Sequence, residues 1–180
     1  MKKITLIALL FALIWQVNAQ TLENSLQRKN EVKLDVAYLI GGAIKVEYEY
    51  LLNDYSSIGI SALYNFDTRN NNGYPRVYKA QVLGIYRLYF GKEPIRGFFL
   101  EGNFGLIHGE YTIYTQNWPW PTEKYTAFGA GIALGWKWHM PNSNIVLDIF
   151  CGLGRKLGGS DVVNRGWAYP RAGIAIGKRF

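Results

Sequence analysis

The sequence predicts an all-β fold: an eight-stranded antiparallel up-and-down β-barrel that follows a cleaved signal peptide. Apolar and polar residues alternate along most of the chain, with no helical period of useful length. Turn-forming sequences separate these segments. With one exception, short and long connections alternate along the chain. An even strand number with short connections at one end and long ones at the other is typical of transmembrane barrels, so we expect these strands to cross a membrane.

The N-terminus has the pattern of a secretory signal peptide. Lys2 and Lys3 precede an apolar run over 4–15, and small residues lead up to Ala19. The run is too short to cross a bilayer as a helix, which needs about 20 residues. We therefore expect cleavage after Ala19. The predicted organisation is a signal peptide at 1–19, a periplasmic N-terminal segment at 20–30 and a barrel at 31–180.

Charge and cysteine content exclude some classes of function. The formal charge of the 180 residues is +7, and it falls to about +5 when Lys2 and Lys3 leave with the signal peptide. This charge is spread over the chain without a basic block, so we expect no nucleic-acid partner. Cys151 is the only cysteine, which rules out an intramolecular disulfide. The glycines follow no phosphate-binding pattern, and we expect no cofactor.

The eight predicted strands are runs of alternating residues bounded by turn formers. They cover 31–40, 44–51, 56–66, 76–90, 96–110, 124–138, 144–156 and 166–180.

The connections predict the orientation of the barrel. The short ones are 53–54, 91–94 and 141–144, and the long ones are 67–75, 111–123 and 157–165. Short turns of such barrels face the periplasm and long loops face outward. The first outer connection, at 41–43, is an exception because it is predicted to be a tight glycine-containing turn. It would pair Ile40 with Ile44 and keep the apolar residues of both strands on one face.

Alternation alone does not say whether the apolar face lies inside or outside the barrel, and the charged residues decide between the two. A Lys or Arg that faces lipid at mid-membrane costs about 2–4 kcal/mol, so a face with many charges must point inward. The polar face is also rich in glycine, which leaves room for long side chains in a narrow lumen. The polar residues that share this face are Lys45, Glu47, Glu49, Lys79, Gln81, Arg87, Glu101, Asn103, Lys137, Asp148, Arg171 and Arg179.

Aromatic residues near the strand ends predict two interfacial girdles on the outer face. Those expected near the short turns are Tyr50, Tyr86, Trp136 and Trp138, and those expected near the long loops are Tyr38, Tyr64, Trp167 and Tyr169.

Six charged residues lie at similar predicted depth in the half of the barrel nearer the short turns. We expect them to form an ion-pair network that fills the lumen, which in an eight-stranded barrel is just wide enough for its own side chains. An open pore is therefore not expected. The six residues are Glu47, Glu49, Arg87, Glu101, Lys137 and Asp148.

Two sequence motifs resemble a known family. Residues 86–94 read YRLYFGKEP and are followed at 97–102 by GFFLEG, while 47–50 read EYEY before Asn53. These segments are similar to a family of small bacterial outer-membrane β-barrels described only as a domain of unknown function. The resemblance implies this fold and the bacterial outer membrane as location. It implies no catalytic residues.

Catalysis and metal binding have little support in the sequence. Lipid-modifying barrel enzymes need a histidine near a serine and an acidic or amide partner. His108 is followed by Gly109 and Glu110, and His139 adjoins a short turn at the opposite end of the barrel. We therefore expect no catalytic residues and no metal site.

The outer loops and the last strand carry the predicted partner contacts. Tyr114, Trp118 and Trp120 form an aromatic cluster that could contact a surface ligand or protein, although interfacial anchoring is the commoner role of such residues. The last strand ends on Phe180 and resembles the signal that the bacterial barrel-assembly machinery reads. Outer-membrane lipid is the third expected partner.

Three functional hypotheses remain open. The first is a non-enzymatic structural or surface-interaction barrel. The second is an outer-membrane enzyme that modifies the acyl chains of lipid A, with His108 as the essential residue. The third is a secreted soluble carrier resembling a lipocalin, which would fold in water without detergent.

Overall fold

The computed structural model describes residues 28–66, 79–112, 122–140, 142–157 and 168–180. The predicted signal peptide at 1–19 lies outside these ranges. The elements are β1 (Asn30–Asp35), α1 (Val36–Ile40), β2 (Ala43–Asn53), β3 (Ser56–Asn65), β4 (Ala80–Tyr89), β5 (Gly97–Thr112), β6 (Thr122–Met140), β7 (Ile145–Lys156) and β8 (Ala168–Arg179). No helix within these ranges is both long and apolar enough to cross a membrane.

The strands form a closed barrel in which each pairs antiparallel with its neighbour in sequence and β8 pairs with β1. The predicted eight-stranded antiparallel up-and-down barrel is therefore confirmed. Closure satisfies the edge hydrogen bonds that an open sheet would expose. Asn30 and Phe180 complete the seam, since each backbone N–H donates to the other's carbonyl oxygen, at 3.0 and 2.8 Å.

The connections differ in length between the two ends of the barrel. We call the end with the connections at 54–55, 90–96 and 141–144 the turn end, and the opposite end the loop end. The β5–β6 pair is the longest ladder, with sixteen residues in β5 and nineteen in β6. This hairpin extends past the other strands towards the loop end.

The first strand is shorter than the sequence predicts, and the predicted strand at 31–40 is wrong in its second half. Residues Val36–Ile40 form the short helix α1, which Asp35 caps by accepting a hydrogen bond from the Ala37 N–H at 3.2 Å. These five residues are all apolar, so alternation no longer favours a strand there. Gly42, at φ 82°, reverses the chain into β2.

The predicted pairing of Ile40 with Ile44 is consequently wrong. The structure pairs Leu34 with Val46 and Ile44 with Tyr64. The connection between the first two strands is not a tight turn at 41–43 but the seven-residue segment 36–42, which contains α1. The register moves by an even number of residues, so the inward and outward faces of β2 are those predicted.

Candidate functional site

The interior of the barrel is the candidate site, and alternation along the strands builds it. In β2, Lys45, Glu47 and Glu49 are each buried, whereas Val46 and Tyr48 between them are exposed. The same period of two brings Arg87 of β4 and Glu101 of β5 into the lumen. Each strand thus delivers its polar residues to one enclosed volume.

The buried charges balance one another. Among the described residues, twelve ionisable acidic and basic side chains are buried, and six carry each sign. An unpaired charge in a site of low polarity is costly, so equal numbers allow every charge to find a partner. The acids are Glu31, Asp35, Glu47, Glu49, Glu101 and Asp148, and the bases are Lys33, Lys45, Arg87, Lys137, Arg171 and Arg179.

Arg87 is the central cation of this network. Its Nη1 donates to Glu49 Oε2 at 2.7 Å and to Asp148 Oδ2 at 2.9 Å. Its Nε and Nη2 donate to Glu101 Oε2 at 2.9 and 2.8 Å, and Nη2 lies 2.7 Å from Glu47 Oε1. The planar guanidinium suits this role because it presents several donors in one rigid plane. One arginine therefore connects strands β2, β4, β5 and β7.

Two lysines link the first strand and β6 to the same carboxylates. Lys33 Nζ lies 2.6 Å from Asp148 Oδ2 and 2.9 Å from Glu47 Oε1, and it also contacts Glu49. Lys137 Nζ donates to Glu31 Oε2 at 2.7 Å and to Glu49 Oε1 at 2.8 Å.

Glu49 is the central acceptor of the network. Besides the three cations, it accepts hydrogen bonds from the Ser57 hydroxyl, at 2.6 Å, and from the Tyr89 hydroxyl. A carboxylate can accept about four hydrogen bonds, so its capacity is filled.

Three further cations surround this centre and form four ion pairs. Arg171 of β8 contacts Glu101 and lies 3.3 Å from Glu47 Oε2. Arg179 Nη2 lies 2.7 Å from Glu31 Oε1 and so spans the seam between β8 and β1. The third cation is Lys45, whose Nζ lies 2.9 Å from Asp35 Oδ2 beside α1.

Apolar clusters lie on both sides of the charged layer. The cluster toward the turn end consists of Leu51, Tyr89, Ile95, Phe99, Phe150 and Ala175. The cluster toward the loop end consists of Leu63, Leu83, Ile85, Ile107 and Tyr169, with Tyr38 of α1 packed against it. Because both clusters are buried, the charges are enclosed along the axis as well as by the wall.

Three carboxylates of the network lie close enough together to suggest a metal site. Oxygens of Glu47, Glu49 and Asp148 lie within 4.8 Å of one another. Lys33 Nζ contacts all three, and Arg87 contacts all three from another direction. The side chains of the barrel itself thus supply the positive charge that a cation would bring.

The structure brings together all six residues named from the sequence for the lumen network: Glu47, Glu49, Arg87, Glu101, Lys137 and Asp148. Sequence reasoning did not include Glu31, Lys33, Arg171 and Arg179 in that group. Glu31 and Lys33 alternate with Val32 and Leu34, so the same test of alternation would have found them. The surface candidates Tyr114, Trp118 and Trp120 lie outside the described residues.

The aromatic girdles are partly as predicted. Tyr50, Tyr86, Trp136 and Trp138 face outward near the turn end, and Tyr64 faces outward near the loop end. Tyr169 does not, because it is fully buried in the lumen and its hydroxyl donates to Asn103 Oδ1 at 2.6 Å. Tyr169 lies two residues before Arg171 in β8, so both side chains point inward. Trp167 lies outside the described residues.

The histidines lie at opposite ends of the barrel, apart from the network. His108 of β5 faces outward toward the loop end, and its Nδ1 lies 3.0 Å from Thr126 Oγ1. His139 of β6 is half-buried near the turn end, and its Nε2 has no hydrogen-bond partner within the described part of the chain.

The outer wall is apolar over the middle of every described strand. Ile60, Phe104, Ile132 and Leu153 are each half exposed or more, and Trp136 and Trp138 lie 6.2 Å apart between ring centroids. Among outward residues of the strands whose side chains are described, the charged ones are Lys124, Arg155 and Lys178, each within three residues of a strand end.

Comparison with known proteins gives a family and a solved structure of low similarity. No curated protein is similar enough to this chain to give a match. The N-terminal β-barrel domain of Pseudomonas aeruginosa OprF is 16% identical in sequence and superposes with a TM-score of 0.49, covering 86% of this chain and 98% of that one. The family model described as protein of unknown function DUF3575 matches residues 5–158, and the chain belongs to that family.

Proposed function

We propose that this chain is a small barrel of the bacterial outer membrane, with a filled lumen and a structural or surface-interaction role rather than a catalytic one. The observation that carries the proposal is the inverted distribution of polarity: among the residues whose side chains are described, twelve paired charges lie inside, and the outward charges of the strands lie near the strand ends. A soluble barrel would have the reverse arrangement. In water, so large an exposed apolar surface would be unusual for a monomeric protein.

Strand lengths support a membrane-spanning barrel. A tilted strand needs about 9–11 residues to cross the hydrocarbon layer. β2, β3, β4 and β7 have eleven, ten, ten and twelve residues. The residues at the ends of the strands include the outward Tyr and Trp side chains that favour the membrane interface.

The proposed location follows from the match between strand length and membrane thickness, together with the predicted signal peptide. Export through cleavage after Ala19 would deliver the chain to the periplasm, and barrels of this kind then enter the outer membrane. We propose that the turn end faces the periplasm. We also propose that the assembly machinery recognises β8 and Phe180, whose side chain is exposed to the outside of the barrel.

A lumen closed to diffusion is supported by its packing. Leu83, Phe99 and Ile107 are fully buried inside the barrel, above and below the charge layer. Eight-stranded barrels have room for little beyond such side chains.

The projecting β5–β6 hairpin supports a surface-interaction role. Its two strands are the longest in the barrel, and their ladder continues to the Thr112–Thr122 pair. The predicted contact residues Tyr114, Trp118 and Trp120 lie in the segment between these strands. A ladder of this length would extend beyond the lipid surface at the loop end.

The proposal is tested by folding residues 20–180 into phosphatidylcholine vesicles, then comparing electrophoretic mobility with and without heating. We expect a heat-dependent shift and protease cleavage confined to the segments at the loop end. A chain that instead stays monodisperse in buffer without detergent, and shows no shift, would support the soluble carrier.

The proposed absence of catalysis needs its own test, because a membrane barrel could also be a lipid A-modifying enzyme. Mass spectrometry of lipid A would compare cells with the wild-type chain, the His108→Ala variant and no chain. We expect the same acyl pattern in all three. An acyl change that depends on the chain and is lost in the His108→Ala variant would establish the enzyme instead.

A further inference from the structure

Among the described residues, one section of the barrel wall lacks a strand. β1 pairs with β2 over Asn30–Leu34 and with β8 over Glu31–Asp35, and it ends there. β2 continues toward the loop end through Ala43–Lys45, and β8 through Ala168–Ile174. The helix α1 lies between these two edges in place of a strand. The wall at this point is therefore held by side chains rather than by a β-ladder.

Asp35 provides much of that hold. Its Oδ1 accepts the Ile174 N–H of β8 and the Ala37 N–H of α1, both at 3.2 Å. Its Oδ2 accepts from Lys45 Nζ of β2 at 2.9 Å. One carboxylate thus joins α1 to both exposed edges.

The backbone N–H groups along one edge of β8 point toward the section of the wall where no strand is described. The Phe180 N–H points to β1 and the Arg179 N–H to β7, so even-numbered residues of β8 direct their N–H groups towards β1 and α1. Pro170 stands at an even position and has no N–H to donate. A proline is tolerated in a strand where the ladder is absent.

The interior behind α1 combines apolar surface with hydrogen-bond donors. Tyr38 of α1 packs against the cluster that contains Leu63 and Tyr169, and its ring lies 4.7 Å from Lys45 Nζ. In the register, Lys45 faces Leu63, and Leu63 faces Gln81. Gln81 of β4 and Ser61, two residues before Leu63 in β3, are also buried, and Gln81 Nε2 and Ser61 Oγ have no hydrogen-bond partner among the described residues.

We propose that α1 is a lateral gate, and that the space it vacates binds an amphiphile with one alkyl chain and an anionic head. The alkyl chain replaces the Tyr38 ring against the apolar cluster, and the anion replaces Asp35 at Lys45. Ser61 and Gln81 supply further donors to the anion. The carboxylate of Asp35, which caps the helix from the end of β1, and the Tyr38 ring of the helix occupy this space, so the ligand has the chemistry of the side chains it displaces. This inference rests on the proposed membrane location, since the gap would open toward lipid.

The test uses residues 20–180 in phosphatidylcholine vesicles and three photoreactive probes with the same alkyl chain: a fatty acid, a lysophosphatidic acid and a fatty alcohol. Labelled residues are mapped by mass spectrometry. We expect one or both anionic probes to label inward residues such as Leu63 and Ile107 about tenfold more than the alcohol does, because only they pair with Lys45. Their relative labelling tells whether a carboxylate or a phosphate head is preferred.

Variants separate the gate from nonspecific labelling. Lys45→Gln should lower inward labelling about tenfold, whereas Lys92→Gln, an exposed lysine at the turn end, should leave it unchanged. Lys45→Arg should restore it. Tyr38→Ala should increase labelling and speed amide exchange over 36–42.

Labelling confined to outward residues such as Val46 and Ile176, or equal labelling by acid and alcohol, would overturn the proposal. The heat-dependent mobility shift is measured on every sample. A wild-type chain without the shift contradicts the membrane barrel itself, whereas a normal shift without inward labelling contradicts only the gate.

Discussion

At the scale of single residues, Arg87 shows what a buried charge does in this barrel. It contacts four carboxylates from three other strands, and all of these groups are fully or almost fully enclosed. A buried ion pair adds little net stability relative to an apolar replacement of both partners. Removal of one partner, however, leaves the other charge buried without a counter-charge. The network therefore makes each of its members indispensable to the rest.

Replacing Arg87 by Met should lower the free energy of unfolding by about 3–5 kcal/mol, because carboxylates remain buried without their central cation. Urea unfolding in lipid vesicles, followed by tryptophan emission, measures the change. Arg96→Met is the matched control: Arg96 pairs with Glu93 in the exposed 90–96 connection, and loss of such a surface pair changes stability by at most about 1 kcal/mol. Equal effects of the two substitutions would contradict the central role of Arg87.

A pair of glycines tests the close approach of β8 to Asp35. A Cβ added to Gly173 would overlap Asp35 Oδ2 and lie 2.8 Å from the Phe150 ring, whereas a Cβ added to Gly102 meets nothing within 4 Å. Gly173→Ala should cost about 1–3 kcal/mol by overpacking. Gly102→Ala should be neutral or slightly stabilising. The same unfolding measurement decides, and a neutral Gly173→Ala would show that Asp35 can move aside without loss.

At the scale of the strands, alternation sorts the side chains into two environments. The outward residues of β6 include Phe128, Ile132 and Trp136, and the inward ones include Ala127, Gly129 and Lys137. The long side chain of Lys137 thus points inward on the same face as the small residues Ala133 and Gly135 of its own strand. A charge added to the outward face would therefore lie among apolar side chains, and one added to the inward face would meet a filled lumen.

Ile132→Arg places a charge on the outer face near the middle of β6. We expect it to destabilise the folded barrel in vesicles by about 2–4 kcal/mol, the cost of a basic residue at mid-membrane. Asn142→Arg, in the exposed connection between β6 and β7, should change stability by no more than about 0.5 kcal/mol. If Ile132→Arg proved as mild as the control, this face would be in contact with water and not with lipid.

At the scale of the whole molecule, the barrel resembles a soluble domain turned inside out. Its charges occupy the centre, apolar clusters cover that centre at both ends, and a second apolar layer forms the outer wall. The wall is continuous except between β2 and β8 near the loop end, where α1 replaces a strand. A passage along the axis would have to displace packed side chains, whereas a passage through the wall would have to move only one helical turn.

This arrangement predicts no steady ion conductance along the axis. The wild-type chain in a planar lipid bilayer should show no sustained current steps, because Leu83 and Ile107 toward the loop end and Phe99 toward the turn end are fully buried in the lumen. A variant with all three replaced by Ala should conduct if the packing is what closes the axis. Sustained channels in the wild type would show that the lumen is open in a membrane.

The sequence by itself determined the fold class and the two faces of each strand. Alternation with a period of two assigns every residue of a strand to one side, so Glu47, Glu49, Arg87 and Glu101 could be placed in the lumen from the sequence alone. The prediction that Tyr169 faces outward was wrong because it treated this residue as an interfacial aromatic, although Tyr169 lies on the same face of β8 as Arg171. The correct placement was already present in the alternation.

Tertiary structure decided which charges meet and where the wall is interrupted. Arg87 and Asp148 are 61 residues apart and lie on strands that are not neighbours, and only closure of the barrel brings them to 2.9 Å. The end of β1 was equally hidden, because a run of apolar residues suits a strand or a helix. The side chain of Asp35 favours the helix by capping it and by bonding β8 across the seam. Such contacts depend on register and closure, which are properties of the assembled barrel and not of any one segment.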